Sequence, residues 1–233
     1  MKHFRHPPSD RCRRLLQQIE AEAVEVGGWY GRQALDPRVL DAIASVPREA
    51  FVPPDAEPDA YANVPLPIGY GQTISQPFIV AVMTDLLRPG ADHIVLEVGT
   101  GSGYQAAVLG ELVQQVYSIE VVEALAAQAR ARLAYLGCTN VEVRYGDGYD
   151  GWPEHAPFDG IIVTAAAPFV PPPLIQQLKK GGRMVIPVDA GMEGQYLMLL
   201  EKHASGEVTS RNILPVAFVP LTRRVKESRG TVR

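Results

Sequence analysis

The sequence predicts an α/β protein, a mainly parallel sheet covered by helices on both faces, behind an N-terminal extension of helices and irregular chain. Strand-like and helix-like stretches alternate from Ile94 onward, the pattern of parallel strands joined by crossover helices. The apolar stretch Val95-Leu96-Glu97-Val98 runs straight into the glycine-rich turn Gly99-Thr100-Gly101-Ser102-Gly103 and then into a helical pattern from Tyr104. Glu97, Glu120, Asp147 and Thr164 all fall at carboxyl ends of successive strands, where ligands collect in such a sheet.

Taken in order, the chain opens with helical spacing between Leu15 and Phe51. Leu15, Leu16 and Ile19, then Val39, Leu40, Ile43 and Val46, mark packing faces, punctuated by Gly27-Gly28 and Pro37. Val52-Pro53-Pro54 through Pro58, and Pro65-Leu66-Pro67, are too rich in proline for regular elements and read as an irregular arm of the kind that carries substrate contacts. Phe78, Ile79, Val82, Met83, Leu86 and Leu87 predict a helix over Pro77–Leu87, stopped by Pro89-Gly90. Strands follow at Ile94–Val98, Val116–Glu120, Val141–Tyr145 and Phe158–Thr164, with helices at Tyr104–Leu112 and Val122–Leu136. The second of these is the longest helix expected, ended by Gly137. Helix Pro172–Leu178, strand Arg183–Val188 and apolar runs Tyr196–Leu200 and Ile213–Val219 complete the series. One structural domain is expected: residues 1–90 as an arm packed on the core, 91–222 as the core, and 223–233 as a mobile basic tail.

A length of 233 residues and a formal charge of −4 suit one sizeable core and give nucleic-acid binding no support from net charge. Arg11, Arg13 and Arg14 near the start, and Arg223, Arg224, Lys226, Arg229 and Arg233 at the end, read as solvated termini. Cys12 and Cys138 lie too far apart in sequence for a redox pair motif or a metal knuckle, which suits a reducing cytoplasm. The five histidines are scattered, so no metal site is expected. No stretch is long enough to span a membrane, and no heptad seam is visible, so a monomer is expected.

The glycine spacing narrows the ligand. A dinucleotide turn requires Gly-x-Gly-x-x-Gly, whereas this turn is Gly-x-Gly-x-Gly. Glu97, two residues before the first glycine, would repel a pyrophosphate and welcome an ammonium or sulfonium group. These features favour S-adenosyl-L-methionine over a nicotinamide dinucleotide. Glu120, followed by Val121, ends the next strand, where a carboxylate accepts hydrogen bonds from ribose hydroxyls. Gly146-Asp147-Gly148 follows the third strand and reads either as an acceptor for an adenine amino group or as an ordinary Asp-Gly turn. Asp159 starts a strand, at the wrong end for the ligand, and reads as structural. Tyr70-Gly71-Gln72-Thr73-Ile74-Ser75-Gln76-Pro77 would shield a methyl donor from water; within it Ser75 reads equally as a helix N-cap or as a substrate-binding group.

Gly71-Gln72-Thr73-Ile74-Ser75-Gln76-Pro77, the glycine turn with Gln105-Ala106-Ala107-Val108-Leu109, and Gly146-Asp147-Gly148-Tyr149-Asp150-Gly151-Trp152 together resemble the protein-L-isoaspartate O-methyltransferases. So do Ala156–Ala166, Gly181–Val188 and Phe218–Thr222, and the likeness runs from about Leu35 to Thr222. The resemblance implies a Rossmann-like class I S-adenosylmethionine-dependent methyltransferase fold. Its sheet would be mostly parallel and seven-stranded, with an antiparallel strand among the last. It implies methyl transfer from S-adenosyl-L-methionine to the α-carboxylate of L-isoaspartyl residues in damaged proteins, which starts their repair. Ser75 would lie at the accepting carboxylate as the catalytic residue. Glu97, Gly99, Thr100, Gly101, Ser102, Gly103, Glu120, Val121, Asp147, Gly148 and Thr164 would contact the cofactor, with Thr73, Ile74 and Thr222 closing over it. The alternative is a related enzyme that esterifies an aspartate of a dedicated peptide to give a succinimide. A regulatory protein without turnover would be expected to lack Ser75 and the Thr-Ile-Ser segment. The accepting carboxylate, with an ordinary pKa near ~4, is already ionised at neutral pH and needs no general base.

Overall fold

The structure is a computed structural model and describes residues 8–30 and 34–223. The expected roles of Arg224, Lys226, Arg229 and Arg233 fall outside the described residues. Helix α1 (Asp10–Glu25) is capped by the Ser9 side chain, which accepts from Cys12 N, and it buries Cys12, Leu15, Ile19 and Ala23. A short α2 (Gly27–Tyr30) follows, then α3 (Pro37–Ser45), with Asp36 as N-cap and proline at the first helical position, where its missing N–H costs nothing. At 16 residues α1, not the helix after the second core strand, is the longest among the described residues.

The proline-rich arm is more ordered than its composition predicts. Arg48–Phe51 and Pro54–Asp59 form 3-10 turns. Strands β1 (Leu66–Gly69) and β2 (Gln72–Ile74) pair as an antiparallel hairpin. Tyr70 and Gly71 supply the two consecutive positive φ values, 54° and 70°, that a tight hairpin turn requires. Pro67 is tolerated because a two-stranded ribbon leaves each strand one free edge. The hairpin ends in Ser75 and leads into α4 (Pro77–Leu87), which is buried on nearly every side.

The main sheet contains β3 (Ile94–Val98), β4 (Gln115–Glu120), β5 (Val141–Tyr145), β6 (Phe158–Val163), β7 (Leu178–Asp189), β8 (Gln195–Lys202) and β9 (Val208–Val216), in the order β5-β4-β3-β6-β7-β8-β9. Strands β5 to β7 run parallel across the sheet, and β8 is antiparallel to both neighbours. Helices α5 (Tyr104–Gly110), α6 (Glu123–Tyr135) and α7 (Pro172–Gln177) make crossovers. β7 starts at Leu178, earlier than predicted, because the chain leaves α7 directly into pairing with Phe158 and passes through Gly181-Gly182 before the regular ladder. Gly182 fits there only without a Cβ, which would press on Lys179 O and Asp159 O.

Alternating side chains divide the core between the two faces. Val95, Val116, Ile162 and Val185 face one cluster that also contains Leu15, Ile19, Val39 and Ile43, so the N-terminal helices share the core of the sheet. Leu96, Val98, Ile161, Val163 and Met184 face the other. Asp159 is structural, as its place predicts: it accepts from Ile94 N at 3.0 Å and from Lys179 Nζ at 2.5 Å, tying the starts of β6 and β3 together. Its pKa is lowered; burial, the largest influence, pushes it up, but these hydrogen bonds and the Lys179 charge outweigh it. The sheet order reverses direction at β3, so the ends of β3 and β6 open a crevice at the carboxyl edge.

Candidate functional site

The glycine turn after β3 is pinned from two sides. Gly99 N and Thr100 N donate to Ile119 O at 2.8 and 3.2 Å, while Gly99, Gly101 and Gly103 take φ values of 98°, 53° and 91°. Only glycine adopts these readily. Across the crevice, Thr164 Oγ1 donates to Gly99 O at 2.5 Å, and a Cβ on Gly99 would overlap that hydroxyl. Glu120, at the end of β4, accepts from Gly101 N at 2.7 Å and from Val122 N at 2.9 Å. Its carboxylate therefore braces the turn and still has lone pairs for a ligand hydroxyl. Gly148, after β5, packs so close to Val98 that any Cβ would collide.

These groups wall a cleft of about 720 Å³, its open mouth included. Of the residues predicted from sequence, Thr73, Ile74 and Ser75 contribute one wall and Gly99, Thr100, Gly101 and Ser102 the floor. Glu120, Val121, Gly148, Thr164 and Thr222 complete the expected set that lines it. Three predicted residues do not reach the wall. Glu97 is fully buried behind it, because its strand position pairs it with Ser118, whose hydroxyl donates to its Oε2. Burial raises its pKa to about 8, offset in part by the Ser118 bond and reinforced by the Glu120 charge, so at neutral pH it is mostly uncharged. The expected attraction of a bare Glu97 carboxylate for a cation is thus corrected by its desolvation. Gly103 faces Leu133 and Ala129 of α6, where a Cβ would come within 3.2 Å of the Leu133 side chain. Asp147 caps the turn Gly148–Asp150, accepting from Tyr149 N at 3.0 Å, with Arg223 Nη1 3.8 Å away.

Ser75 is not the cap of α4. The N-cap position is Gln76, without a side-chain cap bond, which removes the capping explanation for the serine. Ser75 instead lines the cleft and a second cavity of about 980 Å³ beside it. The two cavities share Thr73, Ser75 and Thr164. The second is otherwise bounded by Pro65, Gln76, Ile79 and residues 215–218. Its far wall is held by Gln195, whose side chain accepts from Phe218 N at 2.7 Å and donates to Phe218 O at 3.1 Å.

Sequence reasoning missed Gln72, Val80, Val98, Tyr104, Gln105, Ile119, Ala165 and residues 219–221 of the first cleft. Tyr104 and Gln105 directly follow the glycine turn, so position alone could have found them. Residues 219–221 stand in the family-like segment Phe218–Thr222, of which only Thr222 was expected at the cofactor; they arrive by a bridge in which Ala166 N donates to Val219 O and Leu221 N to Ala166 O, at 2.8 and 2.7 Å. Tyr149 Oη adds a bond to Leu221 O at 3.2 Å.

The chemistry of the wall is selective. Glu120 is its only carboxylate, and no lysine or arginine lines it among the described residues, which suits a cationic nucleoside rather than a pyrophosphate. Gln105 Nε2 donates to Thr84 Oγ1 at 2.9 Å, leaving Gln105 Oε1 as a buried acceptor without a partner, a match for an ammonium donor. No cluster of His, Cys, Asp or Glu that could hold a metal occurs among the described residues. No described helix is long and apolar enough to cross a membrane.

A family model for protein-L-isoaspartate(D-aspartate) O-methyltransferase matches residues 30–226. Protein-L-isoaspartate O-methyltransferase 2 of Syntrophobacter fumaroxidans is 61% identical over 209 residues, covering 90% of this chain and 85% of its own. The enzyme of the same name from Polaromonas sp. is also 61% identical, over 89% of this chain and 99% of its own. Among solved structures, a protein-L-isoaspartate O-methyltransferase superposes with a TM-score of 0.78 at 27% identity, over 91% of this chain and 66% of that one. A Plasmodium falciparum structure in complex with S-adenosyl-L-homocysteine shares the fold, with a TM-score of 0.75 at 21% identity over 92% of this chain and 100% of that one. The crevice, its cation-tolerant wall and these likenesses agree: the chain belongs to the protein-L-isoaspartate(D-aspartate) O-methyltransferase family.

Proposed function

We propose that methyl transfer takes place where the two cavities meet, with S-adenosyl-L-methionine in the first and the isoaspartyl segment of a damaged protein in the second. The activity is that of the family, protein-L-isoaspartate O-methyltransferase, an initiating step in protein repair. The observation that carries the placement is the partition of Thr73, Ser75 and Thr164 common to both cavities. Glu120 would hold the ribose hydroxyls, Gln105 Oε1 the ammonium group, and the backbone at Gly148 the adenine edge. When bound, the cofactor supplies a methyl group on a cationic sulfur. The protein then has to align the carboxylate oxygen with that carbon and exclude water; orientation of this kind supplies on the order of 7 kcal/mol or more.

Ser75 would donate its hydroxyl to the accepting carboxylate. A hydrogen bond to a charged group is worth roughly 1.5 to 3 kcal/mol, so Ser75→Ala should slow turnover by about 10- to 100-fold without abolishing it. Residues 1–90 would form the covering arm and 91–222 the catalytic core. The free, buried Cys12 and Cys138 suit a reducing cytoplasm, and we read the chain as a cytoplasmic monomer. The test is incubation with labelled S-adenosyl-L-methionine and matched isoaspartyl and aspartyl peptides, followed by a count of base-labile methyl ester. Label confined to the isoaspartyl peptide is expected; label on the aspartyl peptide instead would reject the substrate assignment.

A further inference from the structure

Arg48 has no part in either cavity wall, yet it is among the largest fully buried side chains of the molecule. It opens the 3-10 turn Arg48–Phe51. Its Nε donates to Ala60 O at 2.9 Å and its Nη2 to Ser75 O at 2.7 Å, while Cζ lies 4.7 Å from the centroid of the Tyr104 ring. Its Nη1 reaches no carbonyl, and the guanidinium also interacts with the Tyr104 hydroxyl.

Stability alone explains such a residue poorly. A buried guanidinium is costly, so an apolar side chain of similar volume would serve packing better. What the arginine accomplishes is geometric. Its planar fork bridges the loop at Ala60 and the main chain of Ser75, and its face rests on the first residue of α5, directly after the glycine turn. Two segments that bound the site, at Ser75 and Tyr104, are thereby joined through one rigid group to the loop at Ala60.

We propose that Arg48 is a positioning residue for methyl transfer: by holding the Ser75 carbonyl it fixes the Ser75 hydroxyl at the partition between the cavities. The inference rests on the reading of Ser75 as the group that orients the accepting carboxylate.

A double-mutant cycle tests it, with kcat measured on an isoaspartyl peptide at saturating S-adenosyl-L-methionine for the wild type, Arg48→Lys, Ser75→Ala and the double variant. Lysine keeps the charge but cannot bridge both carbonyls as a fork. Arg48→Lys should lower kcat about tenfold and leave the cofactor Kd unchanged, whereas in the Ser75→Ala background it should cost less than about twofold, the coupling expected of contacting residues. Equal losses in both backgrounds would overturn the proposal and leave Arg48 a packing residue. A Ser75→Ala variant as fast as wild type would overturn the reading of Ser75 and this proposal with it, an outcome distinct from additivity. If Arg48→Lys does not fold, the cycle is run with Arg48→Gln, whose shorter amide cannot bridge both carbonyls. Non-additivity with Ser75→Ala again supports the proposal, and additivity overturns it.

Discussion

Glu97→Gln should make the protein more stable at neutral and alkaline pH, an uncommon outcome for replacing a residue of a ligand-binding motif. Glu97 is fully buried; Oε2 accepts from Ser118 Oγ, and Oε1 has no partner. Ser118 Oγ lies in turn 2.5 Å from Thr100 Oγ1 on the cleft wall. Burial is the largest influence on the carboxyl and raises its pKa from an ordinary 4.5 to about 8. Between those values the folded protein holds a proton that the unfolded chain has released, so stability falls as pH rises through this window and is lowest above pH 8. At 1.36 kcal/mol per unit of pKa difference, the wild type should lose on the order of 3 kcal/mol from this group between about pH 5 and 7.5. Glutamine resembles the protonated acid in shape, still accepts from Ser118 and does not titrate. Urea unfolding of both proteins across that range should give stabilities that nearly coincide at the acid end and diverge steadily with pH. Parallel curves would refute the burial argument, because they would mean that Glu97 ionises as readily in the folded protein as in the unfolded chain.

Glu120→Ala removes the acceptor for Gly101 N and Val122 N as well as the proposed ribose contact, so cofactor affinity should fall by about 10- to 100-fold, the worth of one or two hydrogen bonds to a charged group; calorimetry showing unchanged affinity would reject the assignment. Gly99→Ala meets both a positive φ and the Thr164 hydroxyl, and should cost about 3 kcal/mol of stability. Adding Thr164→Ala should recover the steric part and leave the backbone strain. Thermal unfolding of the two variants measures the split, and no recovery at all would show that the hydroxyl is not the obstacle.

The features legible in the sequence are local ones. Alternation of strand and helix, the glycine turn and Glu120 at a strand end depend on near neighbours along the chain, and the structure has them where the pattern put them. The hairpin Leu66–Ile74 was not legible, because the prolines that normally argue against a strand sit in a ribbon with free edges. Ser75 shows the limit of local inference. Its sequence suits a helix cap, but the helix begins after Gln76, and only the tertiary structure shows the serine at the partition.

By itself the sequence determined a mainly parallel α/β sheet with a nucleoside-binding crevice at its carboxyl edge, and through its motifs the family. Tertiary structure decided which side chains meet there. Strand pairing sets Glu97 against Ser118 inside the sheet, the bridge at Ala166 delivers residues 219–222 to the cleft, and Arg48 reaches Ser75 across a stretch of intervening chain. The reason is physical: hydrophobic periodicity reports which face of an element is buried, whereas contact between distant residues depends on strand order and loop closure, which no short window of sequence contains.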